Sequence, residues 1–257
     1  MLDNIFHCCV QKTGSQWIKA IFADKEIRKL TNLEMFTYQT TMPGGVDPRN
    51  LVDRTFDTPF PHKTIISPLY ISYDNYINIP KPEKHRTIFI MRDPRDIVVS
   101  WYYSTKYSHA LMGQIAEFRD RLNQLDLFEG LQFAITFLDN FGLFKALGSW
   151  SQSESDSKVL VVKYENLIGN NSDDTFSKIF NHCQIDMGKK ELEKLIAEYS
   201  FKSMSKRDPG QEDKKSHLRK GISGDWKNNF PEELKTFFKE KTGNLLEIIG
   251  YEVTEDW

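Results

Sequence analysis

Nowhere in this chain do the roughly eighteen consecutive apolar residues of a membrane-spanning helix occur. The first apolar run also begins too close to the N-terminus for a charged region followed by a signal core, so the chain is expected to be neither exported by a signal peptide nor membrane-spanning. Cysteine is scarce. Cys8, Cys9 and Cys183 are an odd number in 257 residues, and two of them share one apolar run, which excludes a disulfide framework and suits a reducing, cytoplasmic compartment. An excess of positive charge is missing too. A formal net charge of −2 excludes a uniformly basic nucleic-acid surface, while permitting a basic pocket in a mildly acidic exterior. No internal repeat or low-complexity tract is visible, and no His, Cys or carboxylate cluster has metal-ligand spacing.

What is present is an alternation of apolar runs with helical patterns. "HCCV", "HKTIIS", "HRTIFIM" and "SKVLVVKY" read as buried strands, the second ended by Pro68. Between them lie amphipathic stretches, the longest around "EGLQFAITFLDNFGLFKALGSW", whose Leu131, Ile135, Leu138, Phe141 and Phe144 form a core-facing stripe. Such an order predicts an α/β fold: a single domain, residues 1–257, with a central parallel β-sheet flanked by helices. Ligands bind beyond the carboxyl ends of the strands in such sheets, which places Lys12, Ser67 and Arg92 on one rim. "SKRDPGQEDKKSHLRKG", Ser205 to Gly221, is too charged to pack and is expected as a disordered surface loop or a lid.

Three short segments carry the chemistry. "CCVQKTGSQWIKAIF" reads as strand, polar loop and helix, with Trp17, Ile18, Ile21 and Phe22 at helical spacing. The free N–H groups and dipole of such a helix start favour an anion, giving a P-loop-like phosphate-binding strand-loop-helix, although an ordinary turn using Gly14 fits as well. It is not a nucleoside-triphosphate loop, because Lys12 precedes the only glycine instead of following it. "IMRDPRDIVVSWYY" sets Arg92 at a strand end and Ser100 on the next helix, with Pro94 in its first turn. Taken alone, Arg92, Asp93, Arg95 and Asp96 read sooner as a solvated charge cluster pairing among themselves. "LRKGISGDWKNNF" adds Arg219 and Lys220 beside Gly221, whose backbone can approach a ligand closely. One multiply charged ligand is more economical than three coincidences.

With these residues in hand the chain resembles the cytosolic-type sulfotransferases, which use 3′-phosphoadenosine 5′-phosphosulfate (PAPS) and release adenosine 3′,5′-bisphosphate (PAP). "QKTGSQW" is similar to that family's 5′-phosphosulfate loop, "RDPRDIVVSWYY" to its 3′-phosphate motif and "RKGISGDWKNNF" to its C-terminal signature, in the family's order. The resemblance implies that Lys12 meets the bridging and sulfuryl oxygens, and that Thr13, Gly14, Ser15, Gln16 and Trp17 hold the 5′-phosphate and stack near adenine. It further implies that Arg92, Ser100, Arg219, Lys220 and Gly221 hold the 3′-phosphate, with Tyr164, Ser200, Phe201 and Met204 lining the adenine side; Tyr164 and Phe201 suit an apolar core equally. The expected reaction is transfer of a sulfuryl group to a hydroxyl or amine of a small-molecule acceptor, with no metal required and neither nucleic acid nor membrane as partner. A non-catalytic nucleotide-binding homologue and a small-molecule or nucleotide kinase are the alternatives.

The chain departs from the family pattern at several points. Gln11 stands for the usual Pro, Gln16 for a usual Thr, and "GQEDKKSHL" contains no match to the family's dimer motif, leaving the oligomeric state open. Few residues precede Lys12, which suits a bacterial protein or an excised domain. Most consequentially, "TIISPLY" puts Ser67 at or near the place of the family's catalytic histidine. Of the six histidines, His7 and His182 read as structural and His62 and His85 lie ahead of their strands. His109 ranks first as proton acceptor, His217 second and Asp74 third. The acceptor pocket is expected from Met35 to Pro61 and Tyr103 to Phe128.

Overall fold

A computed structural model describes residues 1–111, 114–254 and 256–257. Five strands, β1 (Asn4–Cys9), β2 (Glu34–Phe36), β3 (Thr64–Tyr70), β4 (His85–Met91) and β5 (Val159–Lys163), form one sheet in the order β2-β3-β1-β4-β5. Every pairing is parallel, as the alternation of strands and helices predicts. Consecutive residues point to opposite faces: Ile88 and Ile90 of β4 pack on one side, Phe89 and Met91 on the other. Helices α1 (Ser15–Phe22), Ser172–His182 and Lys189–Glu198 cover the first face through Ile18, Ile21, Phe176, Ile179 and Leu192. Helices Pro94–Tyr103, Leu127–Asn140, Leu143–Ser149 and Glu232–Thr242 cover the second through Ile97, Leu131, Ile135, Leu147 and Phe238. Among the described residues no helix is long and apolar enough to cross a membrane.

Three details differ from the sequence-based expectation. β2 is a short, partly exposed edge strand whose three residues carry no distinct pattern. The long apolar stripe is divided between two helices, because Gly142 takes a left-handed turn (φ 74°) and redirects the chain. The third concerns the binding rim. β3 does not end at Pro68: the pairing runs Phe6↔Ile66 and then Cys8↔Leu69, so Ser67 and Pro68 together oppose His7 in a bulge. A proline has no N–H for the ladder and is accommodated where the ladder is already interrupted. Ser67 is consequently not on the rim. It is fully buried in the sheet, its hydroxyl 2.8 Å from His7 Nδ1, and burial pushes the His7 pKa down to about 3, so this pair is a neutral structural bond.

Candidate active site

β1 ends at Cys9, and the chain turns into α1 through Lys12 (φ 68°) and Gly14 (φ 78°), two left-handed residues that let the loop fold back over the end of the sheet. Gly14 is required twice: its φ suits glycine, and a Cβ there would lie 2.8 Å from the Tyr164 ring. Lys12, Gly14, Ser15, Gln16 and Trp17 all line one cavity. Thr13 does not, since its side chain is turned inward and donates to the Val10 carbonyl at 2.9 Å, so the sequence-based expectation of a ligand-facing Thr13 side chain is corrected. Trp17 is fixed by its indole N–H, which donates to the Tyr199 carbonyl at 2.7 Å, and by edge-on packing against Tyr164.

The end of β4 brings Arg92 to the same cavity. Its Nη1 donates to the Lys12 carbonyl at 2.8 Å and its guanidinium lies 4.6 Å over the Tyr164 ring. Among the described residues the carboxylate nearest to it, Asp96, stands 4.0 Å away and is engaged by the backbone N–H groups of Gly224 and Trp226. Asp93 caps the following helix by accepting from Arg95 N and also binds the Arg95 side chain, so of the four charges in "RDPRD" only Arg92 faces the cavity. Ser100 lines the cavity two turns along that helix.

The charged segment Ser205 to Gly221 is neither disordered nor loose. Arg207 donates from its two amino groups to the carbonyls of Gln211, Leu218 and Arg219, and Gly210 N bonds to Lys220 O, folding the loop onto itself. This delivers His217, Arg219, Lys220 and Gly221 to the cavity. Arg219 lies 4.4 Å over the Tyr103 ring, one turn beyond Ser100. Phe201 packs so tightly on Gly221 (φ 65°) that a Cβ there would meet its ring at 2.4 Å. Gly221→Ala is expected to displace Phe201 and to lower stability by about 1–2 kcal/mol from the left-handed backbone alone, read by denaturant unfolding.

Of the adenine-side candidates, Tyr164, Phe201 and Met204 line the cavity and Ser200 does not. Ser200 caps the helix Phe201–Ser205, its hydroxyl accepting from Ser203 N and donating to the Ala197 carbonyl, which occupies it locally. Asp74, third in rank as a base, is exposed on the helix Tyr73–Tyr76 and is absent from the cavity wall. His109 and His217 both line the cavity, their rings 6.5 Å apart. No residue of the Met35 to Pro61 segment lines it, since Arg54 is buried there and ties the segment to itself through Asp47 and Tyr38. Met112 and Gly113 of the other acceptor segment lie outside the described residues.

Sequence reasoning missed Tyr70. It is the last residue of β3, buried, with its hydroxyl 2.8 Å from Ser15 Oγ and 3.4 Å from Gln16 Nε2 on the cavity wall. Reading the strand as ended by Pro68 hid it. Burial pushes the Tyr70 phenol well above its ordinary pKa, so the residue at this strand end stays neutral and is no base near neutral pH.

The electrostatics of the cavity favour an anion. The Lys12 pKa is pushed down to about 8, first by burial and then by the Arg92 and Arg219 guanidiniums. Among the described residues the buried Arg92 Nε has no hydrogen-bond partner. A half-buried ammonium among like charges and an unsatisfied guanidinium N–H are both relieved by one polyanionic guest. Among the described residues no group of three or more His, Cys, Asp or Glu could hold a metal ion.

A model of the sulfotransferase domain matches residues 2–250. This chain belongs to the sulfotransferase family. It is 28% identical over 179 residues to human sulfotransferase 2A1, an alignment covering 63% of this chain and 58% of that one. With mouse sulfotransferase 2B1 it shares 27% over 247 residues, 89% of this chain and 67% of the relative. Thus the chain spans less than two thirds of the length of the human relative. In fold it is similar to mouse sulfotransferase SULT7A1 in complex with PAP (TM-score 0.60, 18% identity, covering 95% of this chain and 85% of that one). Retinol dehydratase in complex with retinol and PAP is similar at TM-score 0.63 and 13% identity, covering 95% and 81%.

Proposed function

We propose that this chain, as one domain over residues 1–257, transfers a sulfuryl group from PAPS to a hydroxyl or amine of a small-molecule acceptor in the cytoplasm. The observation that carries the reading is the convergence of Lys12, Arg92, Arg219 and Lys220 from three distant segments on one cavity at the carboxyl ends of β1 and β4. Two solved structures it resembles in fold, a mouse sulfotransferase and retinol dehydratase, hold PAP. Three buried, unpaired cysteines accord with a reducing compartment.

When bound, PAPS supplies an activated sulfuryl group whose departure leaves charge on a phosphate. Lys12, beside the N-terminus of α1, is the cation placed for that developing charge. Arg92, Ser100, Arg219 and Lys220 bind the 3′-phosphate, while Trp17, Tyr164 and Phe201 offer aromatic surface to adenine. His109 takes the acceptor's proton. Its Nδ1 lies 3.2 Å from the Ala110 carbonyl, which can only accept, so Nδ1 carries the hydrogen and the Nε2 lone pair is left free. Burial and the nearby Lys12 charge lower the His109 pKa below its ordinary 6.5, keeping the imidazole neutral and ready at physiological pH.

The reading is tested by thermal unfolding with nucleotides. PAP at one hundred times its Kd is expected to stabilise the protein by about 2.7 kcal/mol, which for a chain of this size raises Tm by roughly 5–10 °C. ATP, which lacks the 3′-phosphate, is expected to do far less. Equal or greater stabilisation by ATP with magnesium overturns the sulfotransferase reading in favour of a kinase. PAP stabilisation without turnover of PAPS on any acceptor leaves a binding protein instead.

A further inference from the structure

Arg219 and Lys220 are consecutive cations, and on charge alone their heads should diverge into solvent. Instead both reach one carboxylate. Arg219 Nη2 lies 2.5 Å from Asp225 Oδ2 and Lys220 Nζ 2.6 Å from Asp225 Oδ1, with Asn228 Nδ2 adding a third donor at 3.2 Å. Asp225 is 3% exposed, and the segment carrying it is tied to the helix of Ser100, which follows Arg92, because Gly224 N and Trp226 N both donate to Asp96. The other amino group of Arg219, Nη1, lies 2.5 Å from Glu212 Oε1, on the charged loop. That carboxylate is of a different kind: its side chain is 30% exposed against 4% for Asp225. An exposed ion pair costs little to break, whereas stripping a partner from a buried carboxylate costs much.

We propose that Asp225 is a positioning residue that gathers Arg219 and Lys220 for the 3′-phosphate, and that Glu212 keeps that phosphate's place on Arg219 until the nucleotide displaces it. The inference rests on the nucleotide reading above. On binding, the Glu212 side chain turns out into solvent and the phosphate takes Arg219 Nη1, while the loop backbone, bonded to Arg219 through Asp213 N, keeps its place and Asp225 holds Nη2 and the Lys220 ammonium. The two carboxylates also offset the mutual repulsion of the cations in the free protein, so the site is kept folded without being left uniformly positive.

The test is calorimetric titration of PAP and of adenosine 5′-phosphate, which lacks the 3′-phosphate, into the unaltered protein and into Glu212→Gln and Asp225→Asn at low and high salt. Glu212→Gln is expected to tighten PAP about two- to fivefold at low salt, less at high salt, and to leave adenosine 5′-phosphate unchanged. Asp225→Asn is expected to weaken PAP tenfold or more without weakening adenosine 5′-phosphate, and Asp225→Glu to restore part of the loss. In a background already carrying Arg219→Ala and Lys220→Ala, Asp225→Asn is expected to add little, because its effect passes through those two cations. Unchanged or weaker PAP binding by Glu212→Gln overturns the placeholder role. Equal loss of both nucleotides in Asp225→Asn overturns the positioning role and makes Asp225 a structural residue. If the unaltered protein binds no PAP, the nucleotide reading falls and this inference falls with it; normal PAP binding with indifferent variants removes the inference alone.

Discussion

Lys12→Ala is expected to lower kcat by about 10²–10³, the cost typical of removing one preorganised group aimed at charge that develops in the transition state. The free protein already tolerates an unfavourable ammonium there, held between Arg92 and Arg219 and desolvated enough to bring its pKa to about 8. A charge maintained against such opposition is most useful where negative charge grows during the reaction. Loss of Lys12 is therefore expected to weaken PAP binding by much less than it lowers kcat, since Arg92, Arg219 and Lys220 still hold the nucleotide. The pH dependence carries the sign of the same argument. In its proposed role Lys12 acts in its protonated form, so kcat/KM of the unaltered protein is expected to fall as pH rises through about 8, and Lys12→Ala is expected to remove that falling limb along with most of the rate. Normal turnover by Lys12→Ala at saturating PAPS would falsify the role assigned to the loop.

His109→Ala is expected to slow the reaction about 10²-fold or more, within the range for general-base catalysis, with PAP affinity unchanged. In its proposed role the imidazole acts in its neutral form, so kcat/KM of the unaltered protein is expected to rise with pH through the His109 pKa. Burial first, then the positive charge of Lys12, set that limb below 6.5. His109→Ala is expected to abolish the rising limb and leave the falling one. Its backbone is clamped by Arg119, which donates to the His109 and Thr105 carbonyls, so the substitution removes the ring without freeing the segment. His217 is the internal comparison. It lines the same cavity, with its pKa lowered by burial and by Lys12, yet it comes from a different loop. A rising limb that survives His109→Ala and disappears in His217→Ala transfers the role to His217; one that survives both points to an acceptor acidic enough to need no base.

The sequence by itself determined the parallel α/β architecture, because short, β-branched, apolar-ended segments such as "HRTIFIM", alternating with amphipathic helical stretches, read as strands covered on both faces. It also determined the three cation-bearing segments, since a lysine and glycine at a strand-to-helix turn, an arginine at a strand end and Arg-Lys-Gly are local patterns with local physical reasons. What it left open depends on contacts between residues far apart in the chain. The bulge opposite His7 carries β3 past Pro68, buries Ser67 and brings Tyr70 to the rim, and no pattern within "TIISPLY" announces a register shift made with another strand. Thr13 and Ser200 have residue types suited to a ligand, and only the folded chain shows their hydroxyls bonded to Val10 and Ala197. The charged segment reads as a disordered loop or a lid because its composition cannot form a core; its folded shape comes from Arg207, whose donors find carbonyls that only the fold brings near. The pairing of Arg219 and Lys220 with one buried carboxylate, and the meeting of His109 with His217, are likewise decided by tertiary structure, because electrostatic partners are chosen by distance in space and not by separation in sequence.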